Sequence, residues 1–178
     1  MSGQRTLEKV SVLITAEKIQ ERVREIGRAI SADHPGRPIH LLGVLKGSFI
    51  FMADLARCIP ATVSCDFLRV SSYKGSTSTG EIRFEMDVTE PITGRIVVLV
   101  EDIIDTGTTM DALLRVLRSR EPEKLLTCAL LHKPSRRKVE VPIDYLGFTI
   151  PDRFVVGYGL DFDGRWRNLP YVGAIEEA

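Results

Sequence analysis

Three short, almost unbroken apolar runs set the terms of the fold: IHLLGVL (39–45), IVVLV (96–100) and KLLTCALL (124–131). Each is of strand length. A strand that is apolar on both faces must be covered on both, as strands are in parallel sheets with helices on either side. Helical patterns lie before and between the runs. In TAEKIQERVREIGRAIS (15–31), Ile19, Val23, Ile26 and Ile30 recur at helical spacing behind Thr15, a suitable N-cap. SFIFMADLAR (48–57) reads as a short, well-buried helix. Met110, Leu113, Leu114 and Leu117 mark one face of another, which must end near Pro122. DHPGRP is a turn. ATVSCDFLRV (61–70), alternating at Val63, Cys65 and Phe67, reads as a strand, as do IRFEMDV (82–88), IDYLGFTI (143–150) and FVVGYGL (154–160). Strands alternating with helices predict an α/β fold with a mostly parallel, twisted sheet flanked by helices. In such a sheet a ligand binds beyond the carboxyl ends of the strands.

The chain has 178 residues, enough for one domain with a real core, and 44% of them are hydrophobic. Its formal net charge is zero, so bulk charge draws it neither to nucleic acid nor to an acidic membrane. No apolar run approaches the roughly 20 residues that cross a bilayer. The opening MSGQRTLEKV has no signal-peptide apolar stretch, and the expected compartment is the cytoplasm. Cys58, Cys65 and Cys128 are widely spaced in apolar surroundings and are expected to be reduced core residues. His34, His40 and His132 are scattered, without a nucleophile partner, and are read as structural or surface residues.

The chemistry concentrates in VVLVEDIIDTGTTM (97–110). An apolar strand runs into Glu101 and Asp102, then Asp105, then Thr106-Gly107-Thr108-Thr109 at the head of a helix. Two acids at a strand exit suit a magnesium ion or a sugar diol. The turn suits phosphate: a helix N-terminus presents unpaired N–H groups and the positive end of the dipole. Gly107 has no side chain to obstruct close approach, and the threonines add hydroxyls. The spacing is not that of a Walker loop. A capping box of Thr108 and Asp111 would explain one threonine and one acid, but not three acids at a buried strand's exit.

This stretch resembles the phosphoribosyl-diphosphate (PRPP) binding motif of type I phosphoribosyltransferases, in particular the hypoxanthine-guanine group. LLGVLKGSFIF, SSYKGSTSTGEI, LLHKPSRR and DRFVVGYGLDFDGRWRNL resemble further segments of that family, so the likeness spans residues 39–169. It implies the type I phosphoribosyltransferase fold, one domain over 1–178 with a small hood from the termini, mainly 151–178, and a mobile loop near 71–81. The implied reaction joins a 6-oxopurine to PRPP with magnesium, through an oxocarbenium-like transition state, giving IMP or GMP and diphosphate.

The resemblance also assigns roles. Glu101 and Asp102 address the ribose hydroxyls and magnesium, with Asp161 as the second metal position. Ile103, Ile104 and Asp105 through Thr109 form the PRPP loop, and Asp105 is the general base toward purine N7. Some relatives carry lysine at the position of Thr108, which puts only one side-chain contact in question here. Diphosphate falls to Lys46, Gly47 and Arg167. Phe154 stacks on the purine, Lys133 donates to its exocyclic oxygen, and the carbonyls of Val155 and Asp161 accept from a 2-amino group. Trp166, between Arg165 and Arg167, anchors that segment. Asp161 and Asp163 do not open a calcium loop, because no glutamate closes it at the required spacing. Unpaired, the neighbouring acids would have raised pKa values, and magnesium would reverse that.

SSYKGSTSTGE (71–81) is small and polar, and composition leaves both an ordinary hairpin loop and a mobile lid open. The resemblance makes it a lid, with Ser72 and Tyr73 closing over the reacting atoms. A homodimer or homotetramer is usual in the family. The competing class is a regulator that keeps the PRPP fold and binds RNA. Lys133 and 154–161 suit a purine instead, and no net basic charge favours RNA.

Overall fold

The structure is a computed structural model that describes residues 9–72 and 82–176. Six strands form one large sheet, and three helices flank it. Strand β2 (Ile39–Val44) lies between β3 (Val63–Ser72) and β5 (Ile96–Ile104). Beyond β5 come β6 (Lys124–His132) and β7 (Tyr145–Thr149), and β4 (Ile82–Met86) forms the other edge. All neighbours pair parallel except β3 and β4, which are antiparallel. The expected mostly parallel sheet is present. The helices are α1 (Ala16–Asp33), α2 (Phe49–Cys58) and α3 (Thr108–Arg118).

The helices form where their apolar residues line up. Thr15 caps α1 by accepting from the N–H of Lys18 at 3.4 Å, and Ile19, Val23, Ile26 and Ile30 are its buried face. Those residues pack with α2 and with Ile39, Leu41, Val98 and Val100 on one side of the sheet. The other side packs Leu42, Val44, Val97 and Leu99 against Met110, Leu113, Leu114 and Leu117 of α3. Burying each such leucine is worth about 1.5–3 kcal/mol. Among the described residues no helix is long and apolar enough to cross a membrane.

A second, three-stranded antiparallel sheet joins the two ends of the chain. Strand β9 (Val172–Ile175) lies between β1 (Val10–Ile14) and β8 (Val155–Val156). Neither β1 nor β9 is signalled by the periodicity. Each is completed by a partner more than 150 residues distant, as in the pairing of Val10 with Ile175.

Several local expectations change. FVVGYGL does not extend the large sheet. Only Val155–Val156 is strand, and Gly157, Tyr158 and Gly159 all have positive φ, which turns the chain back on itself. On β3 the buried residues are Asp66 and Leu68, not the Val63, Cys65 and Phe67 face. Asp66 is tolerated because the N–H groups of Phe67 and Thr89 and the Thr89 hydroxyl donate to it. Cys65 is consequently exposed rather than a core residue, while Cys128 is fully buried. His34 and His40 are buried. Strand β5 runs on past its acids to Ile104. Helix α3 ends at Arg118, near Pro122 as expected, and Glu121 between them has positive φ.

Candidate active site

The chain leaves β2 toward β3 on one side, and β5 toward β6 and β7 on the other. The order therefore reverses between β2 and β5, where a crevice opens past the strand ends. A cleft of about 290 Å3 lies there, lined by Lys46, Gly47, residues 101–107, Thr109 and Met110. Leu45, Val44 and Val70 complete its wall. The Leu45–Lys46 peptide is cis.

Glycines decide how closely the walls meet. A Cβ on Gly47 would lie 1.4 Å from Oδ2 of Asp102, so only glycine lets the loop after β2 rest on that carboxylate. The carbonyl oxygen of Gly47 in turn lies 2.0 Å from where a Cβ of Gly159 would stand. Arg167 donates to the Gly159 carbonyl at 2.6 Å and pairs with Asp161 at 2.5 Å. Asp161 also accepts from the N–H of Gly164 at 2.7 Å. Arg167 is close enough to Asp102 for its charge to pull that carboxyl's pKa down. The structure thus stacks the 157–167 turn, the Lys46-Gly47 loop and Asp102 in one column.

Glu101 and Asp102 are held above the ordinary carboxylate range, Glu101 well above it. The first cause for both is withdrawal from water; for Glu101 the adjacent Asp102 charge adds to it. The backbone N–H of Ile103 donates to Asp102 at 2.7 Å and opposes the rise. Adjacent acids in this state gain from any cation that settles between them.

The threonine turn heads α3 as expected, but not by a capping box. Gly107 is the N-cap, with φ of 83°, and Thr108 is already the first helical residue. Asp111 pairs with Arg115 instead of reaching back. The N–H of Thr108 donates to the Thr106 hydroxyl at 3.4 Å, and the N-terminal end of the helix is where an anion is favoured.

Asp105 is set apart from the other two acids. Arg136 approaches its Oδ1 at 3.4 Å, an ion pair whose geometry is not that of a hydrogen bond. Arg136 also faces Asp152 at 3.7 Å, and Asp152 lies 3.8 Å from Lys133. Lys133 is buried, and its N–H donates to the carbonyl of Ile104 at the end of β5. Phe154 is 53% exposed, an unusual state for phenylalanine, with its ring edge-on to Phe162 at 5.2 Å. Phe162 stacks on Trp166, and Arg165 lies over Trp166 at 4.5 Å. Val155 is buried in β8 and Lys46 is exposed. Ser72 ends β3, and Tyr73 with the rest of the 73–81 segment lies outside the described residues.

Arg136, Asp152 and Gly159 are given no role by the reading of the sequence, although each lies in a quoted segment. Arg136 follows a strand exit by four residues, and nothing local says that it turns toward Asp105. Among the described residues no group of three His, Cys, Asp or Glu side chains converges as a ready metal cage.

Residues 13–163 match the family model described as phosphoribosyl transferase domain. The chain is 45% identical over 169 residues to hypoxanthine phosphoribosyltransferase of Escherichia coli K12, covering 93% of this chain and 95% of that protein. It is 48% identical over 173 residues to hypoxanthine-guanine phosphoribosyltransferase of Mycobacterium avium, covering 93% of this chain and 85% of that one. The crystal structure of a hypoxanthine-guanine phosphoribosyltransferase from Bacillus anthracis superposes with a TM-score of 0.91 at 44% identity, covering 95% and 99% of the two chains. With the match spanning both the crevice and the strands that form it, the chain belongs to the phosphoribosyl transferase family.

Proposed function

We propose that this protein transfers the phosphoribosyl group of PRPP to N9 of a 6-oxopurine, hypoxanthine or guanine, releasing diphosphate. The observation that carries the reading is the column of Asp102, Gly47 and Gly159 beside a glycine-capped helix N-terminus. It brings acids, a diphosphate-sized loop and an anion-binding turn to one crevice. The names of the relatives support the choice of reaction and base.

The chemistry divides among the chain's own residues. The N–H groups and hydroxyls of 106–109 hold the 5′-phosphate, fixing the ribose ring over β5. Glu101 and Asp102 accept hydrogen bonds from the 2′- and 3′-hydroxyls. Their raised pKa values and all-oxygen donor set also fit a hard divalent cation, with Asp161 as a second oxygen donor. Magnesium, when bound, supplies positive charge that offsets the diphosphate. Lys46, the Gly47 backbone and Arg167 bind the diphosphate as negative charge collects on it. The anomeric carbon becomes oxocarbenium-like as the C–O bond breaks, and the carboxylates near the ribose stabilise that charge. Phe154 stacks on the purine, Lys133 donates to O6, and the carbonyls of Val155 and Asp161 accept from a 2-amino group. Asp105 accepts the proton leaving N7. Closure of 71–81, led by Ser72 and Tyr73, would exclude water from the reacting carbon.

In this reading one domain serves purine salvage in the cytoplasm as a homodimer or homotetramer. A base panel tests it. Hypoxanthine and guanine should give nucleotide with PRPP and magnesium, while adenine and uracil should not. Product from uracil and none from hypoxanthine would refute it.

A further inference from the structure

Behind the phosphate turn runs an irregular strap, residues 137–141, which has no helix or strand of its own. Two of its backbone N–H groups, from Lys138 and Val139, converge on the carbonyl of Thr106 at 2.9 and 3.0 Å. The Val139 carbonyl lies 2.3 Å from where a Cβ of Gly107 would stand, and Cδ of Arg137 lies 3.2 Å from the same point. The turn is therefore pressed from behind by the strap and held to it by paired hydrogen bonds.

What shapes the strap is the side chain of Arg137. Its Nη1 reaches the carbonyls of Val139 and Val141, each at 3.4 Å, and its Nη2 donates to Nε2 of His132 at 2.5 Å. The bond makes Nε2 an acceptor, so the ring is neutral with its proton on Nδ1. Burial first and the Arg137 charge second depress the pKa of His132, in keeping with that state. His132 itself is fixed in the large sheet: it pairs with Ile104 and Thr149, and its carbonyl accepts from Ile150. Among the described residues no carboxylate pairs with Arg137, and its Nε is buried without a hydrogen-bond partner. A guanidinium placed this way is a poor source of ion-pair stability, and its fork spans geometry that a point charge does not.

We propose that Arg137 is a positioning residue for the 5′-phosphate. It ties the strap to the rigid end of β6, and the strap sets the position of Thr106 and Gly107 and hence of the N–H groups that meet phosphate. It does not line the cleft, and its contacts are with the strap, Gly107 and His132. The inference rests on the function proposed above, and loss of its geometry should be felt at the phosphate alone.

The test is a comparison of Michaelis constants in Arg137→Met, Arg137→Lys and His132→Phe. Arg137→Met should raise KM for PRPP roughly tenfold or more. KM for hypoxanthine and kcat should stay within about threefold. Arg137→Lys, with one point donor, should fall between, and His132→Phe should raise KM for PRPP in the same direction. A folded Arg137→Met with unchanged PRPP KM would overturn the inference. So would a loss confined to the apparent kcat that tracks the amount of folded protein, or equal rises in KM for PRPP and for hypoxanthine. Where Arg137→Met does not fold, Arg137→Lys decides, and an unchanged PRPP KM again counts against the proposal. Wild-type nucleotide formation tests the proposed function separately. Were it absent, calorimetric titration of wild type and Arg137→Lys with ribose 5-phosphate would still read the Arg137 role, with equal affinities overturning it.

Discussion

Placing one methyl group at Gly47 probes the whole crevice. In Gly47→Ala the new Cβ would stand 1.4 Å from Oδ2 and 2.4 Å from Cγ of Asp102. Ordinary contact requires a separation about 2 Å greater than the first of these. The loop has little room to retreat, because the Gly47 carbonyl oxygen already lies 2.0 Å from where a Cβ of Gly159 would stand. Asp102 must therefore give way. Overpacking of this kind costs about 1–3 kcal/mol of stability. For a chain of this size each kcal/mol lowers Tm by roughly 2–4 °C. Displacing by more than 1 Å a carboxylate proposed to grip ribose should lower kcat/KM for PRPP by on the order of a hundredfold. Differential scanning calorimetry and initial-rate kinetics on Gly47→Ala, Asp102→Ala and the double variant measure both effects. Truncating Asp102 removes the obstacle, so Gly47→Ala should cost markedly less stability in that background. If the single variant keeps wild-type Tm and PRPP kinetics, or if the two substitutions are additive, the steric reasoning is wrong.

Other outcomes follow from the same site. Asp105→Asn should lower kcat by roughly a hundredfold or more while leaving PRPP KM nearly unchanged, as steady-state rates will show. Phe154→Ala should raise KM for hypoxanthine about tenfold through lost stacking, with little change in Tm because the ring is 53% exposed. Glu101 binds its proton more tightly folded than unfolded, so its contribution to stability is full below the ordinary glutamate range. That contribution is lost as pH rises through the raised folded value. Glu101→Gln should consequently raise Tm of the ligand-free protein at pH 8 relative to wild type, with the gain fading toward pH 4. Magnesium with PRPP should raise wild-type Tm more than that of the variant, by thermal shift.

Much of this molecule is written locally. Apolar runs of strand length, and apolar residues recurring every three or four positions, fix the β2, β5 and β6 strands and all three helices, because burial selects for period and period survives in the chain. The acids and the threonine turn are legible for a similar reason, being contiguous in one segment of 97–110. What only the tertiary structure decides is who meets whom. Gly47 rests on Asp102 because β2 and β5 are neighbours across the reversal of strand order, and Gly159 joins them because positive φ at three successive residues folds 157–159 back over the loop. Arg136 faces Asp105, and Arg137 braces Gly107, because β6 ends beside β5. Strands β1 and β9 exist through each other, since backbone groups so far apart in sequence have no local partners and are brought together only by the tertiary fold.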